Sequence, residues 1–285
     1  MKAIILAAGR GTRLFPVTRP VDKPLVAVYD KPLIYYPMTT LLEAGVRDIL
    51  ILVGPGKTAR FTELFGDGSE IGVRIQYAEQ TVRRGLVDAF LKAEEFVHHE
   101  PVCLMLGDNI FLGGGFSEQL EAAFSNPSGA AIFACPSDHP ERFGVVEFDE
   151  SGSALSIEEK PVHPRSRFIV PGVYIYDSSA IELAKTLTPS DRGELEISDL
   201  NQRYLEQGRL RVRPLGEDVF WIDVGSADAV LDAANYIREL ERSTGHLVGC
   251  IEAASLRRGN IDADQVHVLG GRLAETSYGR YLLSL

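Results

Sequence analysis

"KAIILAAGRGTRL", Lys2 to Leu14, decides how the rest of the chain is read. Lys2 to Ala7 is a short apolar run led by one lysine, the pattern of a buried strand, and glycine ends it. Gly9 and Gly11 let the backbone turn tightly and bring its N–H groups against an anion. Arg10 and Arg13 add charge, and arginine can fork onto two phosphate oxygens. A lone Gly-x-Gly is equally a plain strand-to-helix turn. The dinucleotide fingerprint needs a third glycine, and Leu14 stands in its place. Another near-match, "GPGKT" (Gly54 to Thr58), lacks the leading glycine of a P-loop because that position is Ile51. It reads as a loop.

Outward from this stretch, strand and helix alternate. Asp48 to Val53, "VRIQYAEQ" and "VCLMLGDN" read as further strands. Helices fall at "MTTLLEAG", stopped by Gly45, at "ARFTELFGDG", and at "LVDAFLKAEEFV" with Leu86, Phe90, Ala93 and Val97 on one side. That alternation predicts an α/β fold with a Rossmann-like, mostly parallel central sheet and ligand loops at the strands' C-terminal ends. After residue 110 the pattern changes. "GVVEFDESGSALSIEEKP" reads as a β-hairpin, "VPGVYIYD" and "FWIDVGS" as strands, "GELEISDLNQRYLEQG" and "ADAVLDAANYIRELER" as helices. The expected organisation is one α/β domain over 1–240, with 1–110 on one side and 111–226 on the other. The hairpin is an insertion in it, and 241–285 form a C-terminal helical appendage that serves as an interface.

The chain of 285 residues is 45% hydrophobic and 24% charged, with a net charge of −11. This is an ordinary globular composition, and its acidity argues against a nucleic-acid or anionic-membrane surface. Cys103, Cys135 and Cys250 lack metal-ligand spacing and read as reduced thiols of a cytoplasmic protein. The opening apolar stretch is too short for a signal peptide, and no run reaches the roughly 18 apolar residues of a membrane helix.

Company gives the opening loop its meaning. "LAAGRGTRL" is followed by Lys23-Pro24-Leu25, then by "LGDN", "GVVEFD", "EEKP" and "WIDVGS". In this order the chain resembles the sugar-nucleotidyltransferase superfamily, and within it the bacterial glucose-1-phosphate thymidylyltransferases. The likeness runs the full length, through "YDKPLIYYPMTTL", "ERFGVVEFD", "RGELEISDLNQRYLEQGRL" and the tail "RRGNIDADQ". It implies that a sugar 1-phosphate (glucose 1-phosphate) attacks the α-phosphorus of a nucleoside triphosphate (dTTP, with UTP the alternative) in line, releasing pyrophosphate. No protein nucleophile is needed, and none announces itself. Two anions must meet, so positioning, cations and Mg²⁺ are the expected tools.

The resemblance implies roles residue by residue. Arg13, Lys23, Asp108, Lys160 and Asp223 form the catalytic set, with Asp108 and Asp223 holding Mg²⁺, a hard cation suited to carboxylates. Leu6, Ala8, Gly9, Gly11, Thr12, Arg13, Lys23, Gln80, Gly85 and Asp108 form the nucleotide side. Gln80 would read the pyrimidine edge, since a Gln amide offers both a donor and an acceptor. Leu86, Asn109, Gly144, Glu159, Lys160, Val170, Tyr174 and Trp221 form the sugar-phosphate side. Also implied are a homotetramer and feedback inhibition by a dTDP-sugar near Gly113 to Phe116 and Arg257-Arg258-Gly259.

The pattern departs from that family at Ala8, Pro24 and Ala27, and more consequentially at Arg83, Arg84, Val87, Asp88 and Pro171. Those five are expected beside the base and sugar, which leaves open a modified hexose or cyclitol phosphate, or another nucleotide. A non-catalytic sugar-nucleotide-binding regulatory subunit is the competing class. It should have lost one of the five catalytic residues, and all are present.

Overall fold

The computed structural model describes residues 1–82, 84–125 and 128–285. Its first strand, β1 (Lys2–Ala7), is buried nearly throughout and lies inside a ten-stranded sheet. A two-stranded ribbon, β2 (Ala27–Val28) and β3 (Lys31–Pro32), leads to α1 (Tyr35–Glu43). Then come β4 (Asp48–Val53), α2 (Thr58–Phe65) and β5 (Arg74–Glu79). The expected helix over Leu86 to Val97 is two short ones, α3 (Asp88–Lys92) and α4 (Glu94–Val97). They part at Ala93, whose N–H is shared between the carbonyls of Ala89 and Phe90. The apolar face survives the break, because Phe90, Ala93 and Val97 all remain buried.

β6 (Val102–Leu106) follows, with β7 (Asn109–Leu112), α5 (Phe116–Phe124) and β8 (Ala130–Pro136) after it. The predicted hairpin is β9 (Gly144–Phe148) against β10 (Ala154–Glu159), antiparallel as its turn residues require. Beyond it lie β11 (Phe168–Ile169), β12 (Val173–Tyr176), α6 (Ala180–Lys185), α7 (Ile197–Glu206), β13 (Leu210–Pro214) and β14 (Phe220–Asp223). Helix α7 begins later than "GELEI" predicts. The Leu195 N–H is committed to the Arg84 carbonyl at 2.5 Å, which holds that segment extended. A long helix, α8 (Ala227–Thr244), leads to α9 (Ile251–Arg257), α10 (Ala263–Arg272) and α11 (Ser277–Leu282).

The main sheet runs β10-β9-β11-β8-β12-β6-β1-β4-β5, with β13 beside β8. The run β6-β1-β4-β5 is parallel, as alternating helices demand, and β12 enters antiparallel to β6. Apolar clusters cover both faces: Ile5, Ile51 and Met105 on one, Ile4, Leu50, Leu104 and Tyr176 on the other. This two-sided burial explains why β1, β4 and β6 are unbroken apolar runs without alternation. The C-terminal ends of β1 and β6 open at one sheet edge, and the separate β7–β14 ribbon lies beside them.

The terminal helices are tied to the sheet domain by charged contacts, one of them buried. Lys31, 3% exposed, lies 2.5 Å from Asp30 and 3.0 Å from Glu241, and its ammonium sits over the Tyr278 ring. Arg258 pairs with Glu121 at 2.6 Å. All three cysteines are buried and unpaired, and burial pushes the Cys250 thiol up to about 11.

Candidate active site

The opening loop is a turn with a built interior. Gly11 sits at φ 60°, where a side chain would be strained, and its Cβ would come within 2.9 Å of the Lys23 Cβ. The Thr18 hydroxyl donates to the Gly11 carbonyl at 2.6 Å and fixes the bend. Gly9 differs: no atom lies within 4 Å of where its Cβ would be, so its face is open. Arg13 lays its guanidinium over Gly225, where an added Cβ would meet it at 2.5 Å.

Three segments distant in sequence converge beneath this loop. Lys23, 5% exposed, stands in a single 3₁₀ turn. Its Nζ is 2.5 Å from Asp108 Oδ2 and 3.6 Å from Asp223 Oδ1. Arg13 reaches Asp223 at 3.5 Å. Asp108 is placed by the end of β6, where Gly107 N–H bonds the Leu6 carbonyl at 3.0 Å. Asp223 is placed by the ribbon, in which it registers opposite Asn109. Burial and the facing Asp108 carboxylate push the Asp223 carboxyl above its usual range, against the pull of Lys23 and Arg13. Two close carboxylates sharing one ammonium are thus held at real electrostatic cost.

This donor set fits Mg²⁺. The donors are hard oxygens, and no third His, Cys, Asp or Glu joins them among the described residues. Mg²⁺ commonly takes one or two carboxylates and leaves its other positions to waters and substrate phosphates.

From this cluster opens a cleft of about 670 Å³. Of the expected residues it is lined by Thr12, Arg13, Leu86, Asp108, Asn109, Gly144, Glu159, Lys160, Val170, Tyr174, Trp221 and Asp223. Leu6, Ala8, Gly9, Gly11, Lys23, Gln80 and Gly85 do not line it. Lys23 reaches the cleft carboxylates from below, and Gln80 stands just past the end of β5, 3.5 Å from the carbonyl of Gly85, the neighbour of the cleft residue Leu86. The cleft also holds Arg142 and Arg192, which sequence reasoning passed over. Both lie in the family-like stretches "ERFGVVEFD" and "RGELEISDL", but an arginine in a short turn or loop has no periodicity to mark it.

Second contacts orient several of these side chains. The Trp221 indole N–H donates to Asn109 Oδ1 at 2.8 Å, and Asn109 Nδ2 donates to Asp108 Oδ1 at 2.9 Å. Asn109 therefore spends its amide on Trp221 and Asp108. Glu159 accepts a hydrogen bond from the Ser198 hydroxyl of α7, and Lys160 Nζ lies 3.5 Å from its other oxygen. The Val170 N–H is committed to the Gly144 carbonyl at 2.8 Å. Tyr174 is buried, and burial holds its hydroxyl protonated. Gly85, at φ 98°, has a packing reason to be glycine: a Cβ would fall 2.3 Å from the Leu195 carbonyl oxygen.

Four of the five divergent positions lie off the cleft. Arg83 lies outside the described residues. Arg84 is exposed, Val87 is fully buried in the core, and Asp88 is buried against Gln80. Pro171 is buried too. None of these four therefore reaches the cleft where the sugar phosphate is expected: Val87 turns into the core at the start of α3, and of residues 84–88 only Leu86 lines the cleft.

Residues 2–239 match the family model described as "Nucleotidyl transferase". The chain belongs to the nucleotidyl transferase family. Among its relatives, a glucose-1-phosphate thymidylyltransferase of Neisseria gonorrhoeae is 48% identical over all of this chain and 99% of that protein. One from Xanthomonas campestris is 47% identical over all of this chain and 96% of that protein. A crystal structure of a Bacillus anthracis protein described with the same activity superposes with a TM-score of 0.77, at 36% identity, over 84% of this chain and 96% of that one. The chain is thus a sugar-1-phosphate nucleotidyltransferase by family, and no described helix is long and apolar enough to cross a membrane.

Proposed function

We propose that this protein joins dTTP to glucose 1-phosphate. A phosphate oxygen of the sugar attacks the α-phosphorus in line, the bond to the β-phosphate oxygen breaks, and pyrophosphate leaves. The observation that carries the reading is the Lys23–Asp108–Asp223 cluster at the floor of the cleft. Arg13 and Lys23 bind the triphosphate, and the open face of Gly9 admits it. Lys160, with Arg142 and Arg192 on the same cleft, draws the sugar phosphate into line. Glu159 accepts hydrogen bonds from the sugar hydroxyls while Ser198 holds it in place. Asp108 and Asp223 would hold Mg²⁺, which when bound supplies charge against the developing negative phosphate oxygens. Catalysis here is positioning plus electrostatics, so the cleft needs no activated nucleophile.

Glucose 1-phosphate is preferred over a modified hexose or cyclitol phosphate because the described divergent residues lie off the cleft. A matrix of nucleoside triphosphates against sugar phosphates, read by pyrophosphate release with and without Mg²⁺, tests the reading. It predicts the highest kcat/KM for dTTP with glucose 1-phosphate and none without a divalent cation. A faster acceptor, or release without metal, overturns the corresponding part. The reading extends to a cytoplasmic homotetramer whose interface includes 241–285, with a dTDP-sugar inhibiting near the cleft that Gly113, Phe116 and Arg257 line. Sedimentation with and without dTDP-glucose checks both points.

A further inference from the structure

We propose that Asp88 is a positioning residue that sets base specificity, by fixing the Gln80 amide so that its carbonyl oxygen, and not its NH₂, is presented to the nucleotide base. The inference deepens the function proposed above and rests on it.

Gln80 is 4% exposed and Asp88 3%. Gln80 Nε2 donates to Asp88 Oδ2 at 3.0 Å, and the Gly85 carbonyl lies 3.5 Å from the same nitrogen. A carboxylate accepts and cannot donate, so only one of the two amide orientations satisfies this contact. The flipped amide would set Oε1 against Oδ2, two buried acceptors facing each other without a proton between them. Neither partner has room to drift. Gln80 is pinned by its own N–H to the Val53 carbonyl at 2.9 Å, and Asp88 opens α3 between the fully buried Val87 and Ala89.

With Nε2 spent on Asp88 and Gly85, Oε1 is the atom the amide offers, and no donor among the described residues meets it. Gln80 also stands at the C-terminal end of the parallel strands, the edge at which open α/β sheets take ligands. An acceptor there matches a ring N–H, which thymine and uracil carry at N3. Cytosine N3 and adenine N1 carry a lone pair instead and would leave two acceptors opposed. Asp88 thus converts an ambivalent amide into a one-way reader of hydrogen-bond polarity. Asp88, a departure from the family pattern, thereby tightens base choice.

The experiment compares dTTP, UTP, CTP and 3-methyl-dTTP with glucose 1-phosphate in the wild type and in Asp88→Asn, whose near-isosteric amide lets Gln80 sit either way. In the wild type, 3-methyl-dTTP, lacking the N3–H, should be used at least about 100-fold less efficiently than dTTP. In Asp88→Asn the dTTP-to-CTP ratio of kcat/KM should fall about tenfold or more. The loss should fall on KM for dTTP rather than kcat, with KM for glucose 1-phosphate within about twofold of wild type. An unchanged dTTP-to-CTP ratio overturns the proposal. So does an equal loss with every nucleotide accompanied by a raised sugar-phosphate KM, the mark of a merely structural carboxylate. Should the variant not fold, the wild-type arm still decides, because 3-methyl-dTTP used as well as dTTP refutes an acceptor at Gln80. No pyrophosphate from any nucleotide with the wild type would overturn the underlying function, and this proposal with it.

Discussion

Gly9 and Gly11 lie two residues apart and are glycine for different reasons. Gly11 is glycine for the fold, since Lys23 and Thr18 crowd it, whereas the face of Gly9 is empty. Gly9→Ala should therefore leave the unliganded protein's Tm within about 1 °C of wild type, a shift well under 1 kcal/mol. The same change should raise KM for dTTP by about tenfold or more, a difference of about 1.4 kcal/mol. Titrating both in one preparation checks the split. Asp223 gives the converse case. Its carboxyl is pushed up by burial and by Asp108, so Asp223→Asn removes a native-state cost. We expect a gain of about 0.5–2 kcal/mol in unfolding free energy without divalent cation, with turnover reduced about 100-fold or more. Equal stability, or a loss, counts against the electrostatic account. At this scale Asp108 and Asp223 were legible because each ends an apolar run near glycine, whereas Lys23 was legible only through its spacing from the opening loop. Arg142 and Arg192 were not, since exposed loop arginines carry no such punctuation.

Elements decide which of those residues meet. The hairpin end that carries Glu159 and Lys160 is fastened to α7 through Ser198. Ser198→Ala should let Glu159 swing toward Lys160 and Arg192, both within 4.0 Å of it. KM for glucose 1-phosphate should then rise about five- to tenfold, the worth of one ordinary hydrogen bond at about 1–1.5 kcal/mol, with kcat nearly unchanged. Steady-state kinetics in both substrates would show it, and an equal change in both KM values would not fit. The hairpin itself was readable from its alternating residues and its Asp-Glu-Ser-Gly-Ser turn. The β7–β14 ribbon was only half readable. "FWIDVGS" reads as a strand, but its partner β7 hides behind β6, and nothing local says that residues more than a hundred positions apart will pair. Likewise α3 and α4 look like one helix, because the apolar period continues through the break at Ala93.

For the whole molecule, the helices after residue 244 pack on one another around Cys250 and Leu282, and are joined to the sheet domain by ionic pairs and by Ile251 and Ala254, which enter the core on one sheet face. Lys31 is buried between Asp30 and Glu241, with its ammonium over the Tyr278 ring. Lys31→Ala should leave Asp30 and Glu241 facing each other without a counter-charge, a loss of about 3–5 kcal/mol. Urea unfolding should shift to lower concentration and stay a single transition, since appendage and sheet share that contact. Two separate transitions would mean that the appendage folds on its own. The alternating strand-helix grammar was enough to read the α/β class. The entry of β12, β8 and β11 into the same sheet was not, because which edge a late strand joins is set by packing rather than by its own pattern.

Lys23, Asp108 and Asp223 arrive from the start, the middle and the last quarter of the chain, and no one stretch holds two of them. The long loops between them must close before any pair can form. Activity is therefore a report on completion. A chain released early, nicked within the last strands or halted part-way through refolding holds every motif and transfers nothing. In refolding experiments, recovered turnover should never run ahead of the slowest step that seats β14 against β7.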